Sequence, residues 1–181
     1  MRVITGSARG KRLLSPAGEG TRPTTDRVKE ALFSVIQFRL EGRRVLDLFA
    51  GSGQLGIEAL SRGAAEAVFA DNDRRALRLA RQNAEGCGFA ESCRFVQCES
   101  IGFLRGCGEK FSLVFLDPPY KKAGDTGLSL LEQALELLPP LLSDDAIVCA
   151  ESPSEQALPT VLGRLNAKSY RHGKTKLTIY S

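Results

Sequence analysis

A doubly wound α/β fold with a mostly parallel, seven-stranded sheet is what this 181-residue chain predicts, on three observations. Short apolar runs, many of them β-branched, alternate with helix-length segments through the middle of the chain. A glycine-rich turn joins the first such run to the first such segment. The last two runs stand too close together to be parallel, because a parallel crossover needs a dozen or more residues.

The strand candidates are Arg43–Ala50, Ala67–Asp71, Cys93–Cys98, Phe111–Asp117 and Ala146–Ser152. Helical candidates lie between them at Gln54–Arg62, Asp73–Gly86, Ser100–Arg105 and Leu128–Leu138. Alternation of this kind argues for a parallel sheet covered on both faces, and right-handed crossovers make it doubly wound. Residues 154–165, SEQALPTVLGRL, read as a further helix that Pro159 starts or breaks. Two strands around Gly173 then close the sheet as an antiparallel hairpin.

Residues 1–40 read as an appendage packed on a domain formed by residues 41–181. The segments RVIT and KRLLS flank GSARG, a glycine-containing turn suited to a basic hairpin. Thr24 or Thr25 is placed to cap a helix whose first turn carries Asp26, favourable at the positive helix end. Val28, Leu32, Val35 and Ile36 fall on one face of that helix.

Composition narrows the function classes. No apolar run approaches the roughly 18 residues of a membrane span, and MRVITGSARGKRLL has no signal-peptide core, which argues against secretion. Five cysteines, an odd number without a C-x-x-C pair, fit free thiols in a reducing cytoplasm. With His172 as the single histidine, no metal site is expected. Net charge is +4, unevenly spread: residues 1–44 hold 10 Lys/Arg against 4 Asp/Glu, and residues 163–181 hold 5 against none. Two basic ends around an acidic middle would focus positive potential if they met in space.

The glycine turn is LDLFAGSGQLGIEAL, Leu46–Leu60. Gly51, Gly53 and Gly56 satisfy G-x-G-x-x-G, and Asp71, 20 residues after Gly51, stands where a ribose would be held. Asp47 argues against NAD. A carboxylate just before the turn would repel a pyrophosphate in a site of lowered dielectric. It suits instead a cofactor with an ammonium and no phosphate, such as S-adenosylmethionine (SAM). Asp47, Phe49, Gly51 and Gly53 form Asp-x-Phe-x-Gly-x-Gly, which resembles the cofactor loop of class I, Rossmann-like methyltransferases. Asn72, Glu99 and Ser100 complete the expected cofactor contacts, Glu99 toward the adenine amino group.

VFLDPPYKK, Val114–Lys122, ends a strand in an acid, two prolines and a ring. Neither proline can donate a backbone hydrogen bond, so the ladder stops there. Asp117, Pro118, Pro119 and Tyr120 resemble the Asp-Pro-Pro-Tyr signature of methyltransferases acting on planar amino groups. The resemblance implies that Asp117 and the Pro118 carbonyl accept the two amino hydrogens while Tyr120 stacks the base. KKAGDTG, following Tyr120, reads as a loop that could close over that base.

RVITGSARGKRL, RPTTDRVKEALFSV, VLDLFAGSGQLGIEALSRGA and FLDPPY occur in an order and spacing similar to one family across nearly the whole chain. That family is the bacterial small-subunit ribosomal RNA guanine-N2 methyltransferases. It implies SAM-dependent methylation of one guanine in ribosomal RNA or its particle, by a cytoplasmic protein expected to be monomeric. Basic residues among small polar ones suit phosphate contact: Arg2, Arg9, Lys11 and Arg12 in the hairpin, and Arg22, Thr24 and Arg27 after it. Gln54, Ala70, the Cys98–Ser100 segment and His172 depart from the usual pattern. DNA adenine-N6 methylation and a SAM-binding RNA assembly factor without turnover are the alternatives.

Overall fold

Strands without a polar face must be covered on both sides, and this requirement places β1 (Arg44–Asp47) deep in the sheet: Val45, Leu46 and Asp47 are all buried. In the computed structural model, residues 1–15, 26–119 and 128–181 are described. Among them the order after β1 is α2 (Gln54–Ser61), β2 (Glu66–Asp71), α3 (Arg74–Cys87), β3 (Cys93–Gln97), α4 (Ser100–Gly106) and β4 (Phe111–Leu116). Then follow α5 (Leu130–Leu137), β5 (Leu142–Pro153), β6 (Val161–Leu162), β7 (Leu165–His172) and β8 (Thr175–Tyr180); α1 (Asp26–Ile36) precedes them all. The sheet order is β3-β2-β1-β4-β5-β8-β7-β6. The first five strands are parallel, and β8, β7 and β6 are antiparallel additions.

Two apolar layers sandwich this sheet. On one face Leu32 and Phe33 of α1, Ile57 of α2 and Leu77 of α3 meet Phe69, Phe115 and Ile147. On the other, Ile101 and Leu104 of α4 and Leu131 and Leu135 of α5 meet Leu46, Val68, Val114 and Val148. The chain reverses its crossover direction between β1 and β4, so the carboxyl ends of those strands frame the crevice where such folds take ligands.

Three expectations need correction. The sheet has eight strands, not seven, because residues 154–165 form no helix. Leu158, Val161, Leu162 and Leu165 are spaced as a helical face, yet Gly163, at φ +58°, starts a two-residue turn that pairs Leu162 with Leu165. The buried face of α1 is Val28, Lys29, Leu32, Phe33 and Ile36, with Val35 exposed. The stripe is rotated because Lys29, polar by name, is fully buried against Glu58. The proposed cap at Thr24 or Thr25 lies outside the described residues.

The N-terminal segment is a hairpin clamped onto α2 and α3. Its arms are joined by Val3 N–H to Lys11 O at 2.9 Å, Gly10 N–H to Val3 O at 2.9 Å and an Arg2–Arg12 bridge. Glu58, fully buried, accepts the N–H groups of Ile4 and Thr5 at 2.8 and 3.0 Å. Ser61 accepts from Ala8 N–H and donates to Thr5 O. Asn83 of α3 accepts from Leu14 N–H at 2.7 Å, and its amide donates to Leu14 O and to Ser52 O in the glycine turn. Gly6 is required here: at φ +92°, a Cβ would stand 1.7 Å from Ser61 O.

Candidate active site

Three aspartates from three adjacent strands converge at the carboxyl edge of the parallel sheet. Asp47 ends β1, Asp71 ends β2, and Asp117 follows β4. Asp47 is 2% exposed and accepts the Gly56 N–H of the first turn of α2 at 3.0 Å. Burial pushes its pKa up to about 7, opposed by the Gly56 hydrogen bond and reinforced by the negative charges of Asp117 and Asp71. Near neutral pH this group is poised between its two protonation states.

The glycine turn is shaped by the same geometry. Gly53 caps α2 in the left-handed region at φ +78°. Gly56 lets α2 lie against β2, since a Cβ there would meet the Phe69 ring at 2.4 Å. Gly51 donates its N–H to Asp71 at 2.8 Å, and the other Asp71 oxygen accepts from Asp73 N–H at 2.9 Å. Asp71 therefore ties the turn to the start of α3. Asn72 beside it is exposed, and Phe49 is half-buried against the α4–α5 face.

Glu99 stands at the N-cap of α4, where it accepts from Ile101 N–H at 3.1 Å and Gly102 N–H at 2.6 Å. Those bonds hold its carboxyl below the usual range. Both carboxylate oxygens thus serve the helix end, with Ser100 half-buried next to it. β4 stops at Leu116, as the two prolines require; Pro118 is buried and Pro119 exposed. Tyr120 and the KKAGDTG segment lie outside the described residues, as do Arg22 and Thr24.

The basic residues are distributed differently from the acids. Arg9 and Arg12 are exposed on the hairpin, as is Arg27 on α1. Lys11, also exposed, donates to Gly86 O at 3.0 Å, and Arg2 faces Asp26 at 3.7 Å. The C-terminal basic segment builds β7 and β8, beyond β5 on the opposite side of the sheet from β3, while the hairpin's hydrogen bonds go to α2 and α3. His172 is the last residue of β7, paired with Thr175 across the turn. Sequence reasoning missed Glu58, Ser61 and Asn83, which fix the hairpin to the glycine turn. The available signal was polar side chains set within the apolar stretches of α2 and α3.

Comparison with known proteins agrees with this fold. A family model described as "Conserved hypothetical protein 95" matches residues 1–181. The chain is 38% identical over 184 residues to the Bacillus subtilis protein named "Putative rRNA methyltransferase YlbH", covering 99% of this chain and 98% of that one. It is 39% identical over 163 residues to the ribosomal RNA small subunit methyltransferase D of Escherichia coli K12, covering 89% and 79%. A solved structure described as "Putative methyltransferase yhhF from Escherichia coli" superposes with a TM-score of 0.86 at 34% identity, over 99% of this chain and 96% of that one. The same fold recurs, with a TM-score of 0.72 at 18% identity over 90% of this chain and 44% of that one, in the Thermus thermophilus 16S rRNA N2 G1207 methyltransferase, solved with AdoMet and guanosine. With a family model spanning its whole length and relatives of this identity, the chain belongs to the conserved hypothetical protein 95 family and has the Rossmann-like methyltransferase fold.

Proposed function

We propose that this protein transfers a methyl group from SAM to the exocyclic N2 amino group of a guanine in small-subunit ribosomal RNA. The observation that carries the proposal is the aspartate cluster: burial raises the pKa of Asp47 to about 7, and the nearby charges of Asp117 and Asp71 add to that rise. An acidic crevice of this kind disfavours a pyrophosphate and favours a cation, so its residues fit SAM. Asp47, Phe49, Gly51 and Gly53 would hold the amino-acid end and the turn around it. Asp71 and Asn72 would hold the ribose, and Glu99 and Ser100 would border the adenine. When bound, SAM supplies an electrophilic methyl group on a sulfonium.

The remaining chemistry belongs to the chain. An exocyclic amine is a poor nucleophile because its lone pair is delocalised into the ring. The Asp117 carboxylate and the Pro118 carbonyl each accept one amino hydrogen, which pulls the nitrogen toward a pyramidal shape and frees its lone pair. The prolines fix the backbone beforehand, so these acceptors need little reorganisation. As the new N–C bond would form, the methyl–sulfur bond would break to leave a neutral thioether, and the nitrogen would give up one proton to Asp117 or water. Tyr120 stacks the base, worth roughly 1–3 kcal/mol. Arg2, Arg9, Lys11 and Arg12 of the hairpin would contact RNA phosphate, and Arg22, Thr24 and Arg27 would lie near the active-site mouth or the RNA.

The relatives' names support ribosomal RNA as the acceptor, and the hairpin's basic surface supports a polyanion over a protein side chain. The test is incubation with methyl-labelled SAM and small ribosomal subunits lacking the modification, alongside naked ribosomal RNA and DNA, followed by nucleoside mass spectrometry. Label in N2-methylguanosine is expected, and it disappears in Asp117→Ala. Label in N6-methyladenine or in protein would overturn the guanine assignment. SAM binding without transfer would favour an assembly factor.

A further inference from the structure

We infer that the arginine face of α3 is a second phosphate-binding surface for the RNA substrate, continuous with the N-terminal hairpin; this rests on the proposed RNA methyltransferase activity. Exposed positions on α3 are Arg74, Arg75, Arg78, Arg81, Gln82, Glu85 and Gly86, while Leu77, Ala80, Asn83 and Ala84 are buried. Four cations therefore share the solvent face with one acid. Among the described residues none of the four arginines forms an ion pair. Outside α3 and the hairpin, Arg43, Arg44, Arg62, Arg94 and Arg164 each pair with a carboxylate at 2.8 Å or less, while Arg27, Arg39, Arg105 and Arg171 stand singly on four different elements. Among the described residues, α3 is the element that carries four such arginines, and Arg9 and Arg12 add two more on the hairpin.

Two contacts make helix and hairpin one surface. Lys11 Nζ donates to Gly86 O in the last turn of α3, and Asn83 holds both backbone groups of Leu14. At the other end, Arg74 and Arg75 open the helix after its N-cap Asp73, two residues beyond Asp71, whose carboxylate ties to the glycine turn. A 14-residue helix is about 21 Å long, so the positive strip runs from the aspartate cluster to Arg9, Lys11 and Arg12 on the hairpin. A ridge of arginines whose far end abuts a crevice of acids repels phosphate from the chemistry and attracts it to the flank. That arrangement suits an RNA backbone laid along α3 with one base turned into the crevice. Arg81 has a further use, stacking on Phe95 at 4.6 Å, so it is left intact in the test.

The experiment measures binding of the full-length protein to unmodified small ribosomal subunits and to naked ribosomal RNA over a range of salt. Wild type is compared with Arg75→Gln/Arg78→Gln and with Lys168→Gln/Arg171→Gln on the C-terminal hairpin. SAM affinity and thermal stability are followed in parallel to confirm that each variant is folded. Each lost phosphate contact lowers the slope of log K against log salt by about 0.7–0.9. The α3 double variant should therefore lose roughly 1.5 in slope on at least one of the two acceptors, with a raised KM for RNA and an unchanged kcat. The C-terminal variant should keep the wild-type slope. An α3 variant that binds SAM normally and keeps wild-type slope and KM on both acceptors overturns the surface while leaving the methyltransferase reading intact. A slope lost equally in both variants also overturns it, since it reports diffuse charge. Should wild type bind neither acceptor, this surface falls together with the proposed substrate.

Discussion

Glu58 and Asp47 are both buried carboxylates in the same strand–turn–helix unit, and their surroundings are opposite. Glu58 is at 0% exposure, accepts two backbone N–H groups from the hairpin, bonds Arg62 at 2.8 Å and faces the Lys29 ammonium at 3.5 Å. Asp47 takes one N–H from Gly56 and has two like charges for neighbours. The first carboxylate is compensated by the protein itself and serves the fold. The second is held in a charge arrangement that a cationic ligand would relieve, and perturbed carboxylates of that kind mark sites. Lys29 illustrates the cost on the structural side: burial pushes its pKa down, and the Glu58 charge opposes that shift.

The contrast predicts which substitutions act on stability and which on chemistry. Glu58→Ala leaves the buried Lys29 ammonium without its counter-charge and two hairpin N–H groups without their acceptor, and should lower the unfolding free energy by about 3–5 kcal/mol in denaturant titrations. Under the proposed function, Asp117→Asn weakens the acceptor of an amino hydrogen of the base. Single-turnover methyl transfer should slow by roughly 10²–10³-fold, about 3–4 kcal/mol, with the melting temperature nearly unchanged. If Asp117→Asn unfolds the protein while Glu58→Ala leaves it stable, the division between the two regions is wrong.

Gly56→Ala probes the seam between them. Its Cβ would press on the Phe69 ring, and overpacking of this kind costs about 1–3 kcal/mol, read by thermal melts. A pH trend in the ligand-free protein probes Asp47 alone. Because the folded pKa of Asp47 is raised, its stabilising contribution is full below the unfolded carboxylate pKa and is lost as pH rises through about 7. Stability should thus fall by up to about 1.4 kcal/mol per pH unit across that window, and Asp47→Asn should flatten this component.

The parallel core was readable in the sequence because its strands are apolar on both faces and bounded by glycine, proline or acid. The site was readable for the same reason: Asp47, Asp71 and Asp117 each end such a run, and the fold brings strand ends together. Errors arose where one pattern serves two structures. Leu158, Val161, Leu162 and Leu165 satisfy the helical period, and only the Gly163–Arg164 pair between apolar residues signalled a hairpin turn. The α1 face was drawn through Val35 and not Lys29 because burial of a lysine depends on Glu58, nearly thirty residues further along the chain. The arginines of α3 were hidden by averaging their charge into an acidic middle, although their spacing against Leu77, Ala80 and Ala84 was visible.

The most direct test of the contrast is calorimetric binding of SAM to wild type and Asp47→Asn between about pH 6 and pH 8. A cation bound beside Asp47 requires the carboxylate ionised, so below its pKa of about 7 binding must expel a proton. Wild-type affinity should rise with pH toward a plateau above neutrality, approaching tenfold per pH unit on the acid side. Asp47→Asn should bind more weakly and without that rise. Equal affinity in the two proteins, with the same flat profile, would contradict the claim that this buried acid is there for a cation.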